Sequence, residues 1–165
     1  MRGKLAVAGA SMIFVAGAIV FAVAKSPNSI EGTYRLVSRG LPDGTRLVPP
    51  QLQGLLTYTE EYRNFNIYWT DTEGKRMSIS SIATYSLTDD EYTETSIYYM
   101  VNDEIGGAGL SYDLSGQSGS SPITAEDGGI AFSLPLFDEP NVVYEDDGFT
   151  ASREGVFVDH WEEVE

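Results

Sequence analysis

The stretch that decides the fold is residues 63–70, RNFNIYWT. Phe65, Ile67 and Trp69 alternate there with residues of more polar character. Because successive side chains of a β-strand point to opposite faces, this alternation predicts a strand with one strongly apolar face. Residues 130–136 repeat the pattern, and no segment after residue 25 shows a sustained helical apolar period. The sequence therefore predicts an all-β domain.

Clusters of Gly, Asp, Asn and Pro separate segments rich in Tyr, Val, Ile, Thr and Phe, which is the pattern of turns between short strands. The predicted strands cover residues 31–38, 54–58, 63–70, 76–87, 92–101, 109–114, 130–136, 141–144, 149–152 and 155–162. Strands of this length and spacing favour a closed antiparallel barrel or a sandwich. The Gly- and Ser-rich stretch 103–121 is predicted to be a mobile connection.

The N-terminal segment is the strongest signal of location. Residues 5–24, LAVAGASMIFVAGAIVFAVA, follow a short basic lead and contain one polar residue, Ser11. About 20 apolar residues suffice to span a bilayer, while residues 22–24, AVA, have the form of a signal-peptide cleavage site. We therefore expect a signal peptide or signal anchor over residues 1–24 that includes an apolar helix, a linker over 25–29 and one β-barrel domain over 30–165.

Both forms of this N-terminal segment lead to export. The basic lead stays in the cytoplasm and the acidic domain crosses the membrane. The predicted location is periplasmic or secreted, with anchoring to the cytoplasmic membrane if the segment is retained. Membrane contact is expected only through residues 5–24 if they are not cleaved.

Composition argues against several function classes. The chain has 10 Lys and Arg against 25 Asp and Glu, a formal charge of −15, which opposes binding to nucleic acids and anionic lipid surfaces. With no cysteine and one histidine, a zinc site lacks ligands. His160 is the one candidate haem ligand, and alternation leaves its facing undecided. No G-x-S-x-G motif is present. We expect no metal, no cofactor and no catalytic residue.

A family resemblance rests on residues 31–38, EGTYRLVS, followed by Asp43-Gly44-Thr45, by two prolines and by residues 54–59, GLLTYT. This order resembles the lipocalin-like domains, a bacterial group of calycin-type barrels with a G-T-W-R-L-V-S stretch, then D-G, then G-x-L-x-Y-T. Residues 158–164, VDHWEEV, resemble the closing strand. The resemblance implies an antiparallel up-and-down lipocalin-like β-barrel.

The chain departs from that pattern at two positions. Tyr34 replaces the usual Trp, and Glu163 stands where an Arg is expected. In the wider lipocalin pattern the Trp stacks with an Arg near the closed end of the barrel. The resemblance implies that Tyr34 fills that end, with Arg153 or Arg35 as its partner.

The resemblance also implies which side chains point into the barrel, whose interior is either filled or holds one small ligand. The expected inward residues are Tyr34, Leu36, Phe65, Ile67, Trp69, Ile97, Tyr99, Phe132 and Leu134. The predicted ligand-binding residues are Tyr58, Phe65, Ile67, Trp69, Tyr85, Tyr99, Phe132 and Leu134, with the three tyrosines as polar contacts.

Three functions remain open at this point. The first is a non-enzymatic binding protein for a small hydrophobic or aromatic molecule. The second is a structural or interaction module, held at the membrane by its anchor, whose barrel is filled. The third, less favoured, is an isomerase or cyclase of the calycin type. A cavity of about 300 Å³ or more distinguishes the first from the second.

Overall fold

The computed structural model describes residues 29–126 and 129–164, and in that part of the chain all regular structure is β. No helix long and apolar enough to cross a bilayer occurs among these residues. The apolar helix predicted within residues 1–24 lies outside the described residues, as do residues 25–28 of the linker. The strands are β1 (Gly32–Gly40), β2 (Arg46–Leu47), β3 (Leu52–Tyr58), β4 (Tyr62–Thr70), β5 (Arg76–Leu87), β6 (Glu91–Asp103), β7 (Gly109–Asp113), β8 (Ser118–Pro122), β9 (Thr124–Glu126), β10 (Gly129–Ser133), β11 (Asn141–Glu145), β12 (Gly148–Arg153) and β13 (Phe157–Glu163).

The strands form one antiparallel sheet that curls into a half-barrel. Consecutive strands pair from β3 to β7 and from β9 to β13, and β1 joins the two runs by pairing with both β3 and β13. The long strand β6 pairs with β8 along its first half and with β7 along its second half. The hydroxyl of Ser121 on β8 donates a hydrogen bond to the carbonyl oxygen of Ser133 on β10. This bond connects β8 with β10, two strands that lie near opposite ends of the strand order.

The ten predicted strands all correspond to observed strands, and 76–87 matches β5 at both ends. The strands β2, β8 and β9 were not predicted from the sequence. The stretch 103–121, predicted to be only a mobile connection beyond its one strand, also contributes most of β8. Gly and Ser have low strand propensity, so β8 depends on its pairing with β6 and not on its own composition.

Two β-bulges change which residues face the interior. The register of β6 against β5 shifts between Ile82 and Ala83, which leaves Ile97 as the extra residue on β6. Ile97 is consequently 48% exposed, so its predicted inward position is wrong. A second shift in β1, between Leu36 and Ser38, turns Arg39 toward the interior opposite Asp159.

One end of the half-barrel is filled by a cluster that we call the aromatic plug. Its members are Tyr34, Tyr58, Tyr85, Tyr92, Phe132, Tyr144 and Phe149. Tyr92 stacks on Phe132 with centroids 4.5 Å apart, and Tyr144 stacks on Phe149 at 4.7 Å. Aromatic pairs contribute about 0.5–1.5 kcal/mol beyond their area burial. The plug therefore fixes one end of the interior as solid core.

Candidate functional site

Beyond the aromatic plug the concave face of the sheet encloses a cavity of about 570 Å³. Most of its wall is apolar, and it lies in the range of small-molecule sites. Five of the eight predicted ligand-binding residues border it: Phe65, Ile67, Trp69, Tyr99 and Leu134. The other three do not: Tyr58, Tyr85 and Phe132 belong to the plug. The Tyr85 hydroxyl donates instead to the carbonyl oxygen of Thr59 at 2.6 Å.

The floor of the cavity carries a buried ionic cluster centred on Arg63. Its side chain is 1% exposed, and its Nη1 donates to Oε1 of Glu94 at 2.9 Å. The same guanidinium donates to both oxygens of Glu139, at 2.8 and 3.2 Å. Burial alone lowers the pKa of Arg63, but Glu139 and Glu94 outweigh it and raise that pKa well above its ordinary value. Arg63 therefore stays charged between two carboxylates.

The two carboxylates are not equivalent. Glu94 also accepts a 2.6 Å hydrogen bond from the Tyr92 hydroxyl, so both of its oxygens have a donor. Both oxygens of Glu139 also have a donor, which in each case is Arg63. Burial raises the pKa of Glu139, the positive charge of Arg63 opposes that rise, and the negative charge of Glu94 adds to it. The pKa of Glu139 is therefore raised by its burial although its oxygens accept from Arg63.

Glu139 reaches the cavity from the loop between β10 and β11. Phe137 and Asp138 in this loop have positive φ angles of 53° and 55°, a conformation that costs non-glycine residues about 1–2 kcal/mol each. The Phe137 ring stacks on Tyr99 of β6 at 4.0 Å between centroids. That contact and the ion pair of Glu139 with Arg63 hold the loop in place, so the loop forms one wall of the cavity. Burial also raises the pKa of Tyr99 to about 12.

A second buried ion pair borders the cavity, between Arg39 of β1 and Asp159 of β13. The guanidinium donates from Nε and Nη2 to the two carboxylate oxygens at 2.6 and 2.7 Å. It also lies between the rings of Trp69 and Phe157, at 4.4 and 4.2 Å from their centroids. Burial raises the pKa of Asp159, and the hydrogen bonds from Arg39 act against that rise.

Trp161 borders the cavity together with two members of the plug, Tyr144 and Phe149. It stacks on Phe149 at 5.3 Å and is 4% exposed. A Cβ atom at Gly54 would lie 2.7 Å from Cη2 of Trp161, so glycine at this position makes room for the indole. The indole nitrogen of Trp161 and the hydroxyls of Tyr58 and Tyr144 are buried without a hydrogen-bond partner of good geometry. Such unpaired groups are costly in a low-dielectric interior.

The structure also shows which way His160 faces and whether Tyr34 has the arginine partner that the resemblance implied. Asp159 and Trp161 face inward on β13, so the alternate residue His160 lies on the exposed outer face, away from the cavity. Tyr34 is buried in the plug, as the resemblance implied. Its two proposed partners are elsewhere: Arg35 is exposed beside Glu162, and Arg153 lies beside Asp138 at the cavity. Neither arginine therefore fills the role that the resemblance gave it.

The sequence analysis missed the charged residues of the interior. Arg63 lies on the same face of β4 as Phe65, Ile67 and Trp69, because all four are alternate residues of the strand. The alternation was therefore a signal that Arg63 faces inward. Glu94 pairs opposite Tyr85 on β5, and no sequence signal identified it. Within the described ranges, no group of three or more His, Cys, Asp or Glu side chains could hold a metal ion. The arrangement is suited to binding an organic molecule against aromatic walls above an ionic floor.

Comparison with protein-family models, with curated proteins and with solved structures found no significant match for this chain.

Proposed function

We propose that this protein binds a small hydrophobic or aromatic molecule in the cavity of its half-barrel, without chemical change to that molecule. The observation that carries the proposal is the 570 Å³ cavity itself, bordered by Phe65, Trp69 and Tyr99. An apolar wall of this size gains free energy when it exchanges water for an apolar ligand. The proposal includes the lipocalin-like, up-and-down organisation, which the pairing of β1 with the last strand supports.

A filled interaction module explains the structure less well. In such a module the inward aromatic residues would pack against one another throughout. Here the aromatic plug is packed in this way, while Phe65, Ile67 and Trp69 border open space. The cavity thus favours a ligand over a purely structural interior.

Export is part of the same proposal and is supported by the sequence of residues 1–24. A carrier outside the cytoplasm needs neither a cofactor nor a disulfide to act. Mass spectrometry of the mature N-terminus tests the location: a chain that starts at Lys25 indicates cleavage, and a chain that retains residues 5–24 indicates an anchor.

The binding proposal is tested with the neutral fluorescent probe N-phenyl-1-naphthylamine. We expect saturable enhancement of its emission with one site per chain. Ile67→Phe adds bulk in the cavity and should weaken binding by about tenfold or more, since roughly 1.4 kcal/mol corresponds to tenfold. Ile97→Phe makes the same change at an exposed position and serves as the matched control. A wild-type protein that does not saturate, or an Ile67→Phe variant that folds and binds equally well, contradicts the proposal.

One observation favours a second candidate function, an isomerase or cyclase. Glu139 borders the cavity and has a raised pKa, as a general acid or base requires. Bound molecules recovered unchanged after incubation support binding alone. A product with the mass of its precursor and an altered structure, formed by the wild type and not by Glu139→Gln, would establish the enzyme instead.

A further inference from the structure

The ionic groups of the cavity floor do not balance. Arg63 contributes one positive charge, and Glu94 and Glu139 contribute two negative charges when both are ionised. Glu139 borders the cavity and Glu94 does not, so the surplus negative charge of the cluster meets the cavity at Glu139. An uncompensated buried charge is unfavourable, and it is relieved either by a proton or by a second cation.

The charged residues at the opening of the cavity are also mostly negative. Asp43, Asp71 and Asp138 border the cavity, and the cationic side chain of Arg153, which also borders it, pairs with Asp138. Hydrogen bonds from Thr45 lower the pKa of Asp43, which keeps its carboxylate ionised. The formal charge of −15 on the whole chain adds a long-range field that attracts cations and repels anions.

The walls are also suited to a cation. The faces of aromatic rings carry negative potential, and they attract ammonium and guanidinium groups within about 6 Å. Two internal guanidinium groups already lie on such faces, Arg39 on Trp69 and Phe157 and Arg63 on Phe65 at 5.2 Å. Both of these internal cations are neutralised by carboxylates. The carboxylate that remains in excess borders the cavity.

We infer that the ligand of this cavity is an apolar or aromatic molecule with one positive charge, a hydrophobic amine or a quaternary ammonium compound. Its cationic head lies against the carboxylate of Glu139, and its apolar body lies against Phe65, Ile67 and Leu134. This inference rests on the proposed binding function and specifies its ligand class. A bound cation compensates the surplus charge that the protein leaves open, so it stabilises the ionised form of Glu139.

The test compares three probes that share a naphthalene body. They are 1-naphthylmethyl-trimethylammonium, 1-naphthalenemethanol and 1-naphthoate, which are cationic, neutral and anionic. Dissociation constants are measured by calorimetry on the full chain at neutral pH and low salt. We expect the cation to bind at least about tenfold more tightly than the alcohol, because a positive charge is attracted to the buried carboxylate of Glu139 and to the aromatic faces, and the neutral alcohol lacks this attraction. We expect the anion to bind more weakly than the alcohol.

Two variants assign the preference to one carboxylate. Glu139→Gln removes the surplus charge, and the preference for the cation over the alcohol should fall by about tenfold while alcohol binding persists. Glu162→Gln makes the same change in net charge on the outer surface, where Glu162 pairs with Arg35, and should leave the preference unchanged. The wild-type comparison stands without the variants if Glu139→Gln does not fold.

The outcomes distinguish the binding function from the preference for a cation. Binding of the alcohol with no preference for the cation, or with a preference for the anion, overturns the inference and leaves the binding function in place. Absence of binding by all three probes overturns both. A preference that survives intact in a folded Glu139→Gln variant overturns the role of Glu139.

Discussion

Replacing Arg63 by methionine should destabilise the protein more than any substitution of an exposed ion pair. The change leaves the carboxyl groups of Glu94 and Glu139 buried without the cation that they share, and their side chains are only 2% and 8% exposed. Removal of one partner from a buried ion pair costs about 3–5 kcal/mol. Since domains of this size have roughly 5–15 kcal/mol of total stability, the variant should lose a large part of its free energy of unfolding at neutral pH.

The destabilisation caused by Arg63→Met should depend on pH. Burial already raises the pKa of Glu139 in the wild type, and loss of Arg63 removes the charge that opposes this rise. A carboxyl group whose pKa is higher in the folded than in the unfolded chain binds protons more tightly when folded. Stability therefore falls as pH rises above the unfolded value of 4.5 and through the folded pKa, and it recovers on acidification. The deficit of Arg63→Met should be smaller at about pH 5 than at about pH 7.

Urea unfolding followed by the fluorescence of Trp69 and Trp161 measures this deficit. Arg35→Met is the surface control, since Arg35 and Glu162 are both largely exposed, and should cost about 0–1 kcal/mol. The triple variant Arg63→Met, Glu94→Gln, Glu139→Gln removes all three charges and should be more stable than Arg63→Met alone. A deficit for Arg63→Met below about 1 kcal/mol, or one that does not change with pH, would refute the ionic cluster.

Three further substitutions test other parts of the structure. Gly54→Ala places a methyl group 2.7 Å from the Trp161 ring, and this overpacking should cost about 1–3 kcal/mol in urea unfolding, with a shift of tryptophan emission. Arg39→Lys keeps the charge but loses the paired hydrogen bonds to Asp159 and the planar stacking, so it should cost about 1–3 kcal/mol by the same assay; a neutral result would contradict that geometry. Ile97→Ser should change the free energy of unfolding by no more than about 0.5 kcal/mol, and a larger loss would place this residue in the core.

The strands could be predicted because their signal is local. Alternation within residues 63–70 identifies both the strand and its inward face, and turn residues mark where each strand ends. β8 lacked such a signal, because Ser118–Pro122 contains no large apolar side chain. A strand that is formed by pairing with a distant partner cannot be recognised from its own composition.

The cavity could be predicted only in part, because facing beyond a bulge depends on long-range register. The extra residue at Ile97 reverses the parity along β6, so extrapolation from Tyr99 gave Ile97 the wrong face. The bulge in β1 similarly turns Arg39 inward. Charged side chains add a second difficulty, since a single sequence gives no reason to place Arg39, Glu94 or Asp159 inside.

The position of these internal charges bears on the function. Protein stability does not in general require buried ion pairs, since well-packed apolar residues of similar volume often replace a whole pair without loss. The aromatic plug shows that this chain can fill part of its interior with stacked rings instead. Yet Arg39, Arg63, Asp159 and Glu139 all border the cavity. Charges that apolar side chains could replace, and that border the cavity of the half-barrel, are best explained by what that cavity binds.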